Sequence, residues 1–218
     1  MVIVEMGNDI GGWLLPGIGS TDAAVIMGVD PSESVESLCL LKAIGARRKL
    51  AMNRHIKRGL VLEKYVREFL NRKFGLRLMP ARVMREDYSF IRSSLDGLDA
   101  EKGVIVEVKC PSSMYPAVPI YYYMQVQHHL LVTDYNVCLF VCYSQGTTKI
   151  HHIERDNALI EQMLDKELVF WQKVQELRQS IIEQLRDLMK NDDSLSGEIV
   201  CLLDYLNGLF HPSNTLQR

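Results

Sequence analysis

Between Gly103 and Pro111 the chain reads GVIVEVKCP, and this run limits the fold more than any other stretch. Val104, Ile105, Val106 and Val108 are β-branched and apolar, as a strand buried in a sheet requires. Glu107 and Lys109 interrupt them two residues apart. Side chains at i and i+2 leave the same face of a strand. An acid and an amine therefore share one face, and Val106 and Val108 occupy the other. Eleven positions before Glu107 comes Asp96, in the strand-like run YSFIRSSLDG. The pattern places Asp96 at the end of that strand, just before the Gly-containing turn LDAEKG.

Charges on an apolar strand need an explanation, because burying them unpaired is costly. Two carboxylates brought together repel, and a divalent cation between them removes the repulsion. Oxygen donors suit Mg²⁺, which keeps several waters and takes one or two carboxylates from a protein. Such a cation assists hydrolysis of a phosphate, and an amine beside it stabilises developing negative charge. The same residues also fit a plain Glu–Lys salt bridge beside a turn Asp, since Leu-Asp-Gly is a common turn signature.

The surrounding elements point to one α/β (α+β) domain over residues 1–218. Residues 1–50 form an N-terminal helical segment, 51–155 the core and 156–218 C-terminal helices. Ser20-Thr21-Asp22 starts a short helix that stops at Gly28, and Ser34 starts another that stops near Gly45. NRHIKRGLVLEKYVREFLNRKFG is amphipathic, with apolar residues at helical spacing. Strand-like LRLMPARVM, YSFIRSSLDG and GVIVEVKCP follow, then the helix YYYMQVQHHLLVT. NVCLFVCYS and TTKIHHIER pair around Gln145-Gly146, and a long helix starts at a cap on Asp156 or Asn157. One more short helix is expected after Asn191.

With 218 residues, 47% of them hydrophobic, the chain can build a real core. No apolar run approaches the ~20 residues that cross a bilayer, and Met1–Met6 lacks the charged front of a secretory signal. A cytoplasmic protein with no membrane partner is expected. Cys39, Cys110, Cys138, Cys142 and Cys201 show no C-x-x-C spacing, which argues against structural zinc and against a disulfide framework. The net charge of −2 is unusual for a DNA-binding chain, yet Arg47, Arg48, Lys49, Arg54, Lys57 and Arg58 cluster. A solvated helix face explains that cluster equally well.

The Asp96, Glu107 and Lys109 pattern resembles the D…ExK core of the PD-(D/E)xK nuclease superfamily. GIGSTDAAVIMGVDP, NRHIKRGLVLE, SSLDGL, VEVKCP and YYYMQVQHHLLVT resemble, in order, the YqaJ-like and lambda-exonuclease-type viral recombinases. The resemblance covers roughly residues 17 to 145. It implies a restriction-endonuclease-like core, a central mixed sheet flanked by helices, with a long C-terminal helix added. It implies Asp96, Glu107 and the Val108 carbonyl as ligands of Mg²⁺, with Mn²⁺ able to substitute. Lys109 becomes the catalytic lysine, supported by Glu63 and Gln125. Ser20, Ser94 and Tyr122 fall where the family contacts DNA phosphates. His128, His129, His151 and His152 receive no ligand role, because adjacent histidines rarely share one metal.

The implied activity is a metal-dependent exodeoxyribonuclease. It hydrolyses one strand of double-stranded DNA from the 5′ end, in the 5′ to 3′ direction, and supplies single strands for phage-type recombination. The implied partners are double-stranded DNA ends, two further copies in a homotrimer ring, and a single-strand annealing protein, in a bacterial host cell. A ring reconciles the charge, since only its inner wall needs to be basic. The alternatives are an endonuclease of the same superfamily and a catalytically silent DNA-binding protein on the same fold. Two departures stand out. Family members often carry an arginine just before the GIGS-like segment, where this chain has Trp13-Leu14-Leu15-Pro16. An extra acid expected before Asp96 is either Glu86 or Asp87.

Overall fold

The computed structural model describes residues 1–4, 13–46, 54–191 and 196–209. In chain order the elements are β1 (Val2–Val4), α1 (Ser20–Ile26), α2 (Val35–Ala43), α3 (Arg54–Phe74), β2 (Met79–Met84), β3 (Arg92–Asp99), β4 (Val104–Lys109), α4 (Ile120–Thr133), β5 (Val137–Ser144), β6 (Thr147–Glu154), α5 (Asn157–Asn191) and α6 (Ser196–Gly208). The strands form one sheet in the order β1-β2-β3-β4-β5-β6. All neighbours are antiparallel except β4 and β5. Parallel neighbours need a crossover, and α4 provides it.

The expected mixed α/β sheet with a long C-terminal helix is therefore what forms. Gln145 and Gly146 both have positive φ, 49° and 84°, as the two central residues of a type I′ hairpin turn require. Asp156 caps α5 through its Oδ1, which accepts the Leu159 N–H at 3.0 Å. Two expectations are corrected. Val2–Val4, in the segment read as helical, pair with β2 at the sheet edge, where a short β-branched run completes a ladder. Strand β3 begins only at Arg92, because Tyr88 to Ile91 close a turn through the Ile91 N–H on the Tyr88 carbonyl. Ser20 starts α1, as expected. Gly19 holds the cap position, and its N–H is taken by Asp22 Oδ2 at 2.9 Å.

The sheet separates two cores. On one face Ile105 and Phe140 pack with residues of α1, α4 and α5, where Phe90 and Trp171 stack at 5.1 Å. On the other, Val106, Val108, Leu139 and Val141 pack under Val66 and Leu70 of α3. Fully burying each such side chain is worth about 1.5–3 kcal/mol. Beyond the sheet, α6 docks on α5 through Ile182, Ile199, Leu203 and Leu206. Cys138 and Cys142 are buried free thiols. Among the described residues no helix is long and apolar enough to cross a membrane. Arg47, Arg48 and Lys49 lie outside the described residues, as do the side chains of Arg54 and Lys57, while Arg58 is exposed.

Candidate active site

The site is a fork where β3 and β4 part. The strands pair from Asp99 and Val104 back to Gly97 and Val106, and no further. On the other side of β3 the register with β2 shifts: Leu98 lies opposite Met79 but Leu95 opposite Ala81. Three steps on β3 match two on β2, the signature of a bulge. Asp96 sits inside it, in mid-strand and not at a strand end. The bulge re-aims its side chain, whose Oδ2 accepts the Val108 N–H at 2.8 Å across the parted strands. Arg67 of α3 holds the Asp96 carbonyl through Nη1 at 2.6 Å. Further along, the GIGS segment fills the gap. Ile18 donates to the Phe90 carbonyl at 2.6 Å and accepts from the Arg92 N–H at 2.9 Å. Gly17 is required there, because a Cβ would run into the Phe90 carbonyl oxygen.

Strand β4 shows the expected alternation. Val106 and Val108 enter the α3-side core, and Ile105 enters the α4-side core. Glu107 lies on that second side, 2% exposed, and each of its oxygens is bound. Oε1 accepts from Gln125 Nε2 at 2.8 Å and pairs with Lys109 Nζ, while Oε2 meets His129 Nε2 at 3.0 Å. Gln125 Nε2 also reaches Ser20 Oγ at 3.3 Å. Lys109 Nζ sits 4.7 Å from the centre of the Tyr122 ring. The Tyr122 hydroxyl in turn is 3.4 Å from that of Tyr115.

Charge distribution follows from this packing. Burial pushes the Asp96 carboxyl well above the usual carboxylate range, and the Glu107 charge adds to the effect. Burial also acts on Glu107, but the Lys109 ammonium and the His129 hydrogen bond outweigh it and hold its pKa at about 2. Lys109 is raised in turn, because the Glu107 and Asp96 charges overcome its burial. Glu63 of α3 is raised, by burial first and then by Glu107. His129 is lowered by burial. With Glu107 ionised, a neutral His129 donates from Nε2 and accepts at Nδ1 from the Ser93 hydroxyl, 3.1 Å away.

The structure thus brings Asp96, Glu107, Val108, Lys109, Gln125, Ser20 and Tyr122 together, with Glu63 facing them electrostatically. Ser94 stands two residues before Asp96, and its buried Oγ has no partner among the described residues. The Val108 carbonyl lies on the same strand edge as its N–H, the edge facing the parted β3. Asp87 is committed elsewhere. Both its oxygens are held by Arg85 at 2.7 Å, and Arg85 also reaches the Leu131 carbonyl near the C-terminal end of α4. Glu86 lines a cavity of about 410 Å³ with that same pair.

Sequence reasoning missed His129, Ser93 and Arg67. A signal for His129 existed: it follows Gln125 by four residues and so shares its helix face.

The oxygen donors fit a hard divalent cation. Among the described residues no three His, Cys, Asp or Glu side chains converge as a cage. Mg²⁺ does not need one, and Asp96, raised first by burial and then by the Glu107 charge, is a carboxyl that such a cation would stabilise in its charged form.

A family model described as a YqaJ-like viral recombinase domain matches residues 13–136, more than half of the chain. An alkaline exonuclease (LHK-Exo) from Laribacter hongkongensis has a similar structure. It is 20% identical with a TM-score of 0.68, over 81% of this chain and 98% of that one. The structure of LHK-Exo in complex with dAMP gives 19% and 0.67, over 81% and 97%. A phage-related exonuclease from Haemophilus somnus 129PT gives 16% and 0.55, over 78% and 96%. These likenesses establish the fold. No curated protein matches the sequence.

Proposed function

The chain belongs to the YqaJ-like viral recombinase domain family, and from that premise we propose that it is a metal-dependent nuclease that degrades one strand of duplex DNA from its 5′ end. The observation that carries this reading is the fork itself: Asp96 and Glu107 brought together by a bulge, with the ammonium of Lys109 beside them.

Asp96, Glu107 and the Val108 carbonyl would hold Mg²⁺, with Mn²⁺ able to substitute. When bound, the ion neutralises the two carboxylates and stabilises charge on a phosphate at the fork. Lys109 Nζ donates hydrogen bonds to the attacking water and to a non-bridging phosphate oxygen. It is already protonated, so it supplies charge where charge develops. Gln125 and His129 pin the two oxygens of Glu107, which holds the carboxylate in one orientation. Glu63, with its raised pKa, is placed to accept a proton from the water on the α3 side. Ser20, Ser94 and Tyr122 line the approach of the strand. Strand polarity, a ring-shaped homotrimer and delivery of single strands to an annealing protein complete the reading, with the family membership as their support.

Linear duplexes labelled at either end and incubated with Mg²⁺ test it. Labelled nucleotide is released first from 5′ ends, and Lys109→Ala reduces the rate by about 10³-fold or more while circular dichroism stays unchanged. Full activity of folded Lys109→Ala sinks the mechanism. Cutting of closed circular DNA replaces it with an endonuclease.

A further inference from the structure

Strand β6 closes one edge of the sheet, and the turn before it fixes which backbone groups that edge leaves free. The two-residue turn at Gln145-Gly146 makes Ser144 and Thr147 a hydrogen-bonded pair. Pairing alternates along an antiparallel ladder, so Lys149, His151 and Ile153 also bond to β5. The Arg155 N–H, on the Asn136 carbonyl at 2.8 Å, keeps the same phase. Thr148, Ile150 and His152 therefore turn their N–H and C=O groups away from β5. At the end of the strand the Glu154 carbonyl, on that free side, accepts from Gln127 Nε2 at 2.8 Å. Among the described residues nothing takes the backbone groups of Thr148, Ile150 or His152. Proteins guard such an edge with a proline, a bulge or a lysine. Strand β6 has no proline, its register with β5 is unbroken, and Lys149 is drawn to the Pro116 carbonyl at 3.1 Å.

An apolar groove runs beside this edge. Thr148 and Tyr143 line one wall and Leu62, Tyr65 and Phe69 of α3 the other, around a cavity of about 370 Å³. Helix α3 buries Val66 and Leu70 against the sheet. Val61, Tyr65 and Phe69, spaced by four, form a second apolar stripe that stays 58%, 61% and 40% exposed. The surroundings are basic. Helix α3 carries seven Lys or Arg against two Glu, in a chain whose net charge is −2. Arg58 lies one turn before Leu62 and Lys73 one turn after Phe69, with Lys73 Nζ 5.4 Å from the centre of the Phe69 ring. Of the two acids, Glu63 faces the fork and Glu68 reaches Arg72 at 3.9 Å.

We propose that the free edge of β6 and this groove form a docking site for an extended, acidic peptide segment of another protein, which adds a strand to the sheet. The free N–H and C=O groups of Thr148, Ile150 and His152 recur every second residue, and they match another extended backbone. Every second side chain of the added strand faces α3. A bulky apolar one fills the cavity, and acids on the same face meet Arg58 and Lys73. A second copy of this chain lacks these features. Paired about a two-fold axis, β6 offers the groove only Thr148, Ile150 and His152, with no large apolar ring among them, and brings two basic faces together. The site uses no residue of the fork, so it stands apart from the nuclease reading.

The probe is a fluorescein-labelled peptide about nine residues long, alternating glutamate with valine and carrying phenylalanine in place of the central glutamate. Fluorescence polarisation with the full chain shows saturable binding. Lysine in place of every glutamate weakens it about 10-fold or more, and the gap closes as salt is raised. N-methylation of one alternate set of peptide amides costs about 10-fold or more, while methylation of the other set, whose N–H groups point away, leaves binding intact. Tyr65→Ser, at an exposed position, weakens binding about 10-fold. Thr148→Pro, which removes a free N–H and no bond to β5, weakens it similarly. Absence of saturable binding, or equal loss from both methylated sets, overturns the proposal. So does Tyr65-dependent binding of a labelled oligothymidylate in place of the peptide, which assigns the face to single-stranded DNA. A lower assembly mass of Tyr65→Ser on sedimentation assigns it to contacts between copies and overturns the proposal as well.

Discussion

Helix α4 presents two buried histidines in succession, each against a buried carboxylate, and they do different work. His129 meets Glu107 at the fork, and its second partner is the Ser93 hydroxyl. His128 meets Glu167 of α5 at 2.8 Å, and its second partner is the Arg92 carbonyl at 2.9 Å. A hydroxyl can donate, so a neutral ring satisfies both contacts of His129. A carbonyl only accepts, so with Glu167 ionised His128 donates from both nitrogens and carries a positive charge. The pKa directions agree. Burial lowers both, but Glu167 overcomes it at His128, whereas burial prevails at His129. The carboxylate and the second partner together decide whether the residue tunes a site or staples α4 to α5.

Exchanging the roles breaks this comparison. His128→Ala leaves Glu167 buried without its cation and costs about 3–5 kcal/mol. Thermal denaturation reads this as a fall of roughly 10 °C, while activity per folded molecule stays within a few-fold. His129→Ala releases one oxygen of Glu107 and lowers activity about 10–100-fold, with a smaller fall in Tm. If His129→Ala loses only stability, Glu107 does not depend on it. Asp96→Asn sharpens the same contrast from the other side of the fork. It removes one of two repelling carboxylates, yet the amide oxygen still accepts the Val108 N–H. Without metal its Tm rises, a gain of roughly 0.5–2 kcal/mol, while digestion is lost. A Tm below that of the unaltered protein in chelator shows that the Asp96 charge is not a cost.

Much of this was legible in the sequence, for reasons that particular residues show. Ile105 and Val106 enter opposite cores because strand alternation is local, so the face shared by Glu107 and Lys109 followed from spacing alone. Gln145-Gly146 and Asp156 are local signals too. The place of Asp96 was not legible, because a bulge is a mismatch between two strands and one strand does not announce it. His128 and His129 diverge by about 100° around α4, which rules out a shared metal but does not reveal two different carboxylates. Glu167 is 39 residues from His128, and nothing in VFWQK or its neighbourhood marks that acid as buried.

The smallest effect is also the most direct reading of protonation. His128 faces Glu167 from α5, the Arg92 carbonyl from β3 and the more distant charge of Asp22 from α1. Its folded pKa is raised above the unfolded value of about 6.5. The folded state therefore holds this proton more tightly than the unfolded chain. The stability it gives is complete below about pH 6.5 and is lost as pH rises through the raised folded pKa. His129, held down by burial, is neutral in both states above about pH 7 and adds no slope there. In chelator, the Tm gap between the unaltered protein and His128→Gln is widest near pH 6 and narrows towards pH 9. The gap to His129→Gln stays level from pH 7 to 9. A His128→Gln gap that is flat or widens with pH means the ring is neutral, and with it falls the claim that Glu167 and the Arg92 carbonyl together force a charge on this histidine.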